Sequence, residues 1–208
     1  MQEGINKFVA VQFSMYNGLI NHITNIVPLS NEDIILVSSH FRPRRVKKKQ
    51  FLFSQGDVAT YESFIVKGCF KTFAINEKGE ESILQFSIEN WWIGDLYSFW
   101  TGEPGRYSIV AVEDSEILSI DNNSLERLFL RIPKMERYFR ILLKNAYIAA
   151  QMRIYGNLGQ TAEERYLEFI DRYPLIEQRI PQYMMASYLG ITPEFLSKIR
   201  RRVVTRKR

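Results

Sequence analysis

Residues 182–205, QYMMASYLGITPEFLSKIRRRVVT, leave the chain little conformational choice. Met185 and Leu189 stand four residues apart and share a helix face, with small Ala186 beside them. Gly190 follows where a helix ends in the left-handed region, which a residue without Cβ enters freely. Thr192 then falls at an N-cap and Pro193 at the first helical position, where a missing N–H is harmless. Leu196, Ile199 and Val203 repeat at helical spacing. A small residue, a glycine turn and apolar stripes at these offsets predict a helix-turn-helix.

Opposite its apolar stripe the second helix carries Glu194, Ser197, Lys198, Arg201 and Thr205. In the major groove a carboxylate accepts from the cytosine amino group, and Lys or Arg donates to guanine. Any solvated helix face also carries charge, so the distribution of charge along the chain decides between the two. The 208 residues include 28 Lys/Arg and 23 Asp/Glu. Residues 179–208 hold eight of the basic residues and one acidic residue, Glu194, so the positive excess sits in and after this motif. A phosphate-binding surface requires that placement. Double-stranded DNA is therefore the expected partner, with Thr192, Glu194, Ser197, Lys198 and Arg201 as contacts.

Ahead of the motif the hydrophobic period changes twice. Residues 5–26 have helical spacing (Phe8, Val11, Met15, Leu19, Ile23), and Ser30 or Asn31 caps a short helix through Val37. From residue 42 to 121, short runs rich in Phe, Ile, Val, Tyr and Trp are divided by glycine turns. That pattern predicts a compact barrel, roll or sandwich. The basic group Arg42, Arg44, Arg45, Lys47, Lys48 and Lys49 opens this region and reads as charge that blunts an edge strand. Past Asn122 the helical period returns: Ser124 caps a short helix, Pro133 stops it, and a long helix runs to Asn157. In heptad terms Met135, Leu142, Ala149 and Gly156 take one seam position, and Tyr138, Asn145 and Met152 the other, as in a dimerising helix, although packing on the chain's own β-region would also use an apolar stripe. Residues 156–159 read as a hinge. Thr161 with Glu164 forms a capping box for a helix to Tyr173, which Pro174 ends.

Cys69 is the one cysteine, and His22 and His40 are the histidines, which excludes an internal disulfide framework and a multi-Cys metal site. No apolar run approaches bilayer length and no signal peptide is evident, so a cytoplasmic protein with no membrane partner is expected. There is no phosphate-cradling glycine loop, no metal-spaced ligand set and no nucleophile with a partnered base, so no enzymatic activity is expected.

The order of helix, β-roll, long helix and helix-turn-helix is carried by Gly56-Asp57, Tyr61, Phe64-Ile65-Val66-Lys67-Gly68, Ile93-Gly94-Asp95-Leu96 and residues 186–199. Nearly end to end, it resembles the Crp/Fnr family of bacterial transcription regulators. The resemblance implies an α+β chain. A cyclic-nucleotide-binding-like roll with N-terminal helices covers 1–132, a dimerisation helix 133–158, and a winged-helix-like DNA-binding domain 159–208. It implies a homodimer that recruits or blocks RNA polymerase, with Glu194 and Lys198 on base edges. It also implies a small-effector pocket at Gly94, Asp95, Leu96, Arg106 and Ser108.

A cyclic nucleotide there needs a carboxylate for the ribose hydroxyl, and Arg with backbone N–H groups for the phosphate. The chain departs from that pattern. Asp95 stands for a Glu, Arg106 comes one residue late, Tyr107 replaces a small hydroxyl residue, and Pro104 removes an N–H. No cofactor is assigned on these grounds. The aromatic group Trp91, Trp92, Tyr97, Phe99 and Trp100 reads either as core or as the lining of a differently shaped pocket. The sequence stops at Arg208 where the family continues into wing strands, and Arg206, Lys207 and Arg208 are expected to make phosphate contacts instead. The alternative function is a cyclic-nucleotide-binding signalling module that acts through protein contacts.

Overall fold

A computed structural model describes residues 15–76 and 79–206. Phe8 and Val11 of the expected first helix, the turn residues Glu77 and Lys78, and the terminal Lys207 and Arg208 lie outside the described residues, as does the Arg206 side chain. Helix α1 is described over 15–24, with Leu19 and Ile23 fully buried. Helix α2 (Asn31–His40) starts at Ser30, whose hydroxyl accepts from Asp33 N–H (3.2 Å) while the Asp33 carboxylate accepts from Ser30 N–H (2.8 Å). This is the reciprocal capping box.

The glycine-divided runs become β1 (Arg42–Val46), β2 (Phe51–Phe53), β3 (Tyr61–Lys67), β4 (Phe70–Ile75), β5 (Glu81–Ser87), β6 (Trp92–Ile93), β7 (Ser108–Ala111) and β8 (Ser115–Asp121). They pair into two four-stranded sheets, β1-β8-β3-β6 and β2-β7-β4-β5. Every pairing is antiparallel. Ile65 and Ile117 of one sheet meet Phe70, Ile109 and Ala111 of the other in a shared core, so the sheets close face to face as a roll. Strand β1 lies at a sheet edge with Arg42, Arg44 and Arg45 exposed, as its charge predicts.

Short helix α3 (Leu96–Thr101) follows β6. Helix α4 (Asn122–Arg131) is capped by Asp121 rather than Ser124. The last residue of β8 already offers a carboxylate, which accepts from both the Ser124 N–H and its hydroxyl, each at 2.8 Å.

Helix α5 (Lys134–Gly159) divides into two halves that the heptad reading treats alike. Met135 and Tyr138 are 0% exposed and belong to the apolar cluster of α1, α2, β3, β8 and α4, so they are core residues and not seam residues. A heptad pattern reports burial without saying which surface does the burying. Trp92 Nε1–H donates to Tyr138 Oη (2.9 Å), which lies 2.7 Å from His22 Nδ1. Burial holds the His22 imidazole below its usual pKa, which favours the neutral ring. Residues 156–159 are helical and not a loop. Gly156 is buried, and its carbonyl accepts from Gln160 N–H (2.9 Å).

Helix α6 (Ala162–Arg172) opens on the Thr161/Glu164 capping box, as expected. Pro174 ends that helix and also begins another, taking the first position of α7 (Pro174–Arg179). Helices α8 (Gln182–Leu189) and α9 (Pro193–Arg206) complete the described chain, and no strand follows β8 among the described residues. These helices pack on the second sheet. Phe86 of β5 meets the rings of Phe169 and Tyr188. Ser187 Oγ donates to Glu81 O (2.8 Å) and accepts from Ile83 N–H (3.2 Å), closing part of the β5 edge. Arg179 grips Glu89 with two nitrogens, at 2.7 and 3.0 Å, and also pairs with Glu113.

Removing the Tyr138 hydroxyl takes the bonding partner from the half-buried Trp92 N–H and His22 nitrogen. Tyr138→Phe should cost about 2 kcal/mol, the scale of buried groups left without partners. Chemical denaturation should show a lower midpoint with an unchanged slope.

Candidate functional site

The turn between α8 and α9 takes the expected geometry. Gly190 has φ 67°, in the left-handed region, and Ile191 N–H reaches back to the Ala186 carbonyl (3.0 Å). This closure satisfies a carbonyl that the helix end leaves open. The Thr192 hydroxyl then accepts from Phe195 N–H (3.2 Å), capping α9. Leu196, Ile199 and Val203 are buried in one cluster with Met185, Ala186 and Leu189. Burial of that stripe fixes which face of α9 looks outward.

Glu194, Lys198 and Arg201 are exposed on that outward face, and Thr192 is exposed at its start. The Glu194 carboxyl is held below its usual pKa by its own backbone N–H and the Thr192 hydroxyl, so it is ionised and oriented. Ser197 is half-buried and its hydroxyl donates to the Pro193 carbonyl (3.0 Å), so it is partly committed to its own helix. The neighbouring arginines differ. Arg200 pairs with Glu177 of α7 (3.5 Å) and Arg202 lies 3.9 Å from Glu163 of α6. Among the described residues no salt bridge engages Lys198 or Arg201. The run Arg200-Arg201-Arg202 cannot reveal this division, because both carboxylates come from other helices.

A groove of about 1290 Å³ runs between α5 and the roll, lined by Glu62, Gln85, Gly94, Trp100, Tyr107 and Ala149 among others. Of the residues expected to bind an effector, Gly94 and Leu96 line it, whereas Asp95, Arg106 and Ser108 do not. Asp95 is 2% exposed and caps α3, one carboxylate oxygen accepting from Ser98 N–H (3.1 Å). Being short, it reaches the first turn of the helix it precedes. Arg106 is exposed and its guanidinium lies 5.3 Å from the centre of the Tyr97 ring. Ser108 is buried in β7 and its hydroxyl accepts from Gln55 N–H (2.9 Å). Leu96, partly open to solvent, and Gly94 both line the groove. Of the aromatic group, Phe99 is core, Trp91, Trp92 and Trp100 line the groove, and Tyr97 is exposed.

Glu62 at the groove was not singled out by the sequence reading. It is 5% exposed, and its Oε1 has no hydrogen-bond partner among the described residues; the same is true of Asp95 Oδ2. Gly94 packs against it so closely that a Cβ there would displace the Glu62 carboxyl. Burial, and then the nearby Asp95 carboxylate, push the Glu62 carboxyl up to about 8. Burial and the Asp95 carboxylate also raise the Tyr107 phenol. The available signal was a Glu in phase with Phe64 on a strand face that is otherwise apolar.

Residues 43–131 match the model of the cyclic nucleotide-binding domain. The chain is 29% identical over 129 residues to the transcriptional activator protein Anr of Pseudomonas protegens, covering 62% of this chain and 52% of that protein. It is 28% identical over 171 residues to the fumarate and nitrate reduction regulatory protein of Vibrio cholerae, covering 76% of this chain and 67% of that one. The chain thus spans between about half and two thirds of the length of these curated relatives. Among solved structures, FixK2 from Bradyrhizobium japonicum superposes with a TM-score of 0.68 at 19% identity, over 80% of this chain and 86% of that one. The catabolite activator protein of Thermus thermophilus gives 0.56 at 21% identity, over 89% and 88%. These two likenesses establish the fold.

The raised Glu62 pKa has a consequence for stability. The folded chain keeps that proton to about 8, whereas the unfolded chain releases it near 4.5. Between those values the folded state binds more protons, so its stability falls as pH rises. Glu62→Gln abolishes that loss, so thermal melts should show the variant gaining more over wild type at pH 8 than at pH 5.

Proposed function

From the match to the cyclic nucleotide-binding domain and the likeness to named transcription regulators, we propose that the chain is a Crp/Fnr-type, sequence-specific DNA-binding transcription regulator acting as a homodimer in the cytoplasm. The observation that carries this reading is the outward face of α9. Glu194, Lys198 and Arg201 stand exposed opposite a buried stripe, in the segment that holds the chain's positive excess. Helix α9 then enters the major groove as the recognition helix, with Glu194 accepting from a cytosine amino group and Lys198 donating to guanine. Thr192, Ser197 and Arg201 flank them, and α8 crosses the phosphate backbone. Contact with RNA polymerase follows from the same family reading.

Dimerisation falls to the second half of α5. There Leu143, Tyr147, Ile154 and Leu158 form one apolar stripe at helical spacing, and Leu158 is 85% exposed. An exposed stripe of that length is a contact surface more often than a solvated one. Two copies joined along it present two recognition helices, which one short helix needs in order to read enough sequence.

A cyclic nucleotide does not suit the groove beside α5. Arg106 faces solvent over Tyr97 and Asp95 is committed to capping α3, so neither is placed to hold a phosphate or a ribose hydroxyl in the groove. An effector of other chemistry, taken up between α5 and the roll, fits better. These same features disfavour a cyclic-nucleotide signalling module.

Unbiased selection of bound DNA fragments tests the function. The reading predicts a palindrome with half-sites about one helical turn apart. Sequence-indifferent binding, seen at low salt only, would refute it. Leu158→Asp should yield monomers in sedimentation and lose the palindrome while leaving weak binding to single half-sites.

A further inference from the structure

The exposed face of α9 contains one residue that neither its charge nor its own core accounts for. Phe195 is 42% exposed, whereas Leu196 beside it is fully buried. The ring belongs to no apolar cluster and to no aromatic pair among the described residues. It sits at the third position of the helix, directly after Glu194, and its backbone N–H is tied to the Thr192 cap. Pro193 at the first position brings no polar side chain. Glu194 and Phe195 are therefore the first two side chains of α9 able to reach a base edge.

An aromatic ring has one specific partner on a base edge in the major groove, the C5 methyl group of thymine. Consecutive residues of a helix rise about 1.5 Å and turn about 100°, so Phe195 leaves α9 to one side of Glu194 and is directed to a neighbouring pair. We propose that Phe195 is a specificity-determining residue that reads a thymine methyl one base step from the C·G pair read by Glu194. This rests on α9 being the recognition helix. It adds an apolar element of sequence choice to a face otherwise described by charge. Positioning is built in, because the Thr192 cap that orients Glu194 also fixes the backbone of Phe195. Lys198 lies one turn further on the same helix and addresses a base further along the site.

The test uses the full chain and the DNA site recovered by fragment selection. Each thymine in a half-site is replaced in turn by uracil, which pairs identically and lacks only the methyl group. Binding of wild type and Phe195→Ala is followed by fluorescence anisotropy. At one position, adjacent to the pair whose identity relaxes in Glu194→Ala, uracil should weaken wild type about fourfold, the worth of one buried methyl. Uracil should leave Phe195→Ala unchanged there, and Phe195→Thr, which keeps a methyl, should restore part of the dependence. The proposal is overturned if uracil has no effect at any position. It is overturned equally if Phe195→Ala retains the methyl dependence, or if it weakens selected and scrambled DNA by the same factor. Failure to recover any preferred site would instead refute the regulator reading itself. A melting curve matching wild type establishes that the exposed ring was removed without unfolding α9.

Discussion

Everything outward-facing in the C-terminal region depends on one buried contact, the packing of Leu196, Ile199 and Val203 against Met185, Ala186 and Leu189. The cluster does not stop at those helices. It continues through Phe169 and Ile176 to Cys69, Phe73, Ile83 and Phe86 of the roll, so α9 is oriented by the same apolar surface that finishes the second sheet. Each buried side chain of this size is worth about 1.5–3 kcal/mol relative to exposure. A one-residue slip of α9 would bury Lys198 and Arg202, or Ser197 and Arg200, and expose the stripe, which no surface salt bridge could offset. The direction of the charged face is therefore a consequence of core packing. Arg200 and Arg202 reinforce it by turning to Glu177 and Glu163, leaving Lys198 and Arg201 outward.

Helix α5 links the two ends of the molecule by doing different work along its length. Its first half is core, with Tyr138 bonded to Trp92 and near His22. Its second half is apolar yet exposed, and Arg153 on it donates to the Ile83 carbonyl while lying over the Tyr188 ring. Ile83 also meets Ser187 of α8. The groove, the β5 edge and the two-helix unit are thus in contact through a few named groups. An effector that shifts β5 would be felt at α8 without any long relay.

Legibility from sequence followed the range of the interactions. The Gly190 turn, the Thr192 cap and the Ser30 and Thr161 capping boxes depend on neighbours within a few residues, and each was readable; the edge position of β1 was readable from its charge alone. What failed depended on distant partners. The heptad reading assigned Met135 and Tyr138 to a seam because periodicity cannot name the surface that covers them. Residues 156–159 continue α5 although each glycine costs a helix about 1 kcal/mol, a local preference that does not decide the end of a 26-residue helix. Asp121 capped α4 in place of Ser124 because β8 runs directly into the helix. In the effector loop the residue types were legible, but their directions were not. Asp95 turned inward to its own helix, Arg106 outward to Tyr97, and Glu62 arrived from another strand.

The central claim is that the outer face of α9 reads bases, and not merely that a basic surface holds phosphate. The most direct measurement compares wild type and Lys198→Ala on the selected site and on a scrambled duplex of equal length, across a salt series. If Lys198 reads guanine, the variant loses about 1–3 kcal/mol on the selected site and little on the scrambled one. An equal loss on both duplexes, with the salt slope reduced by about one unit, would show a phosphate contact only and would contradict the account.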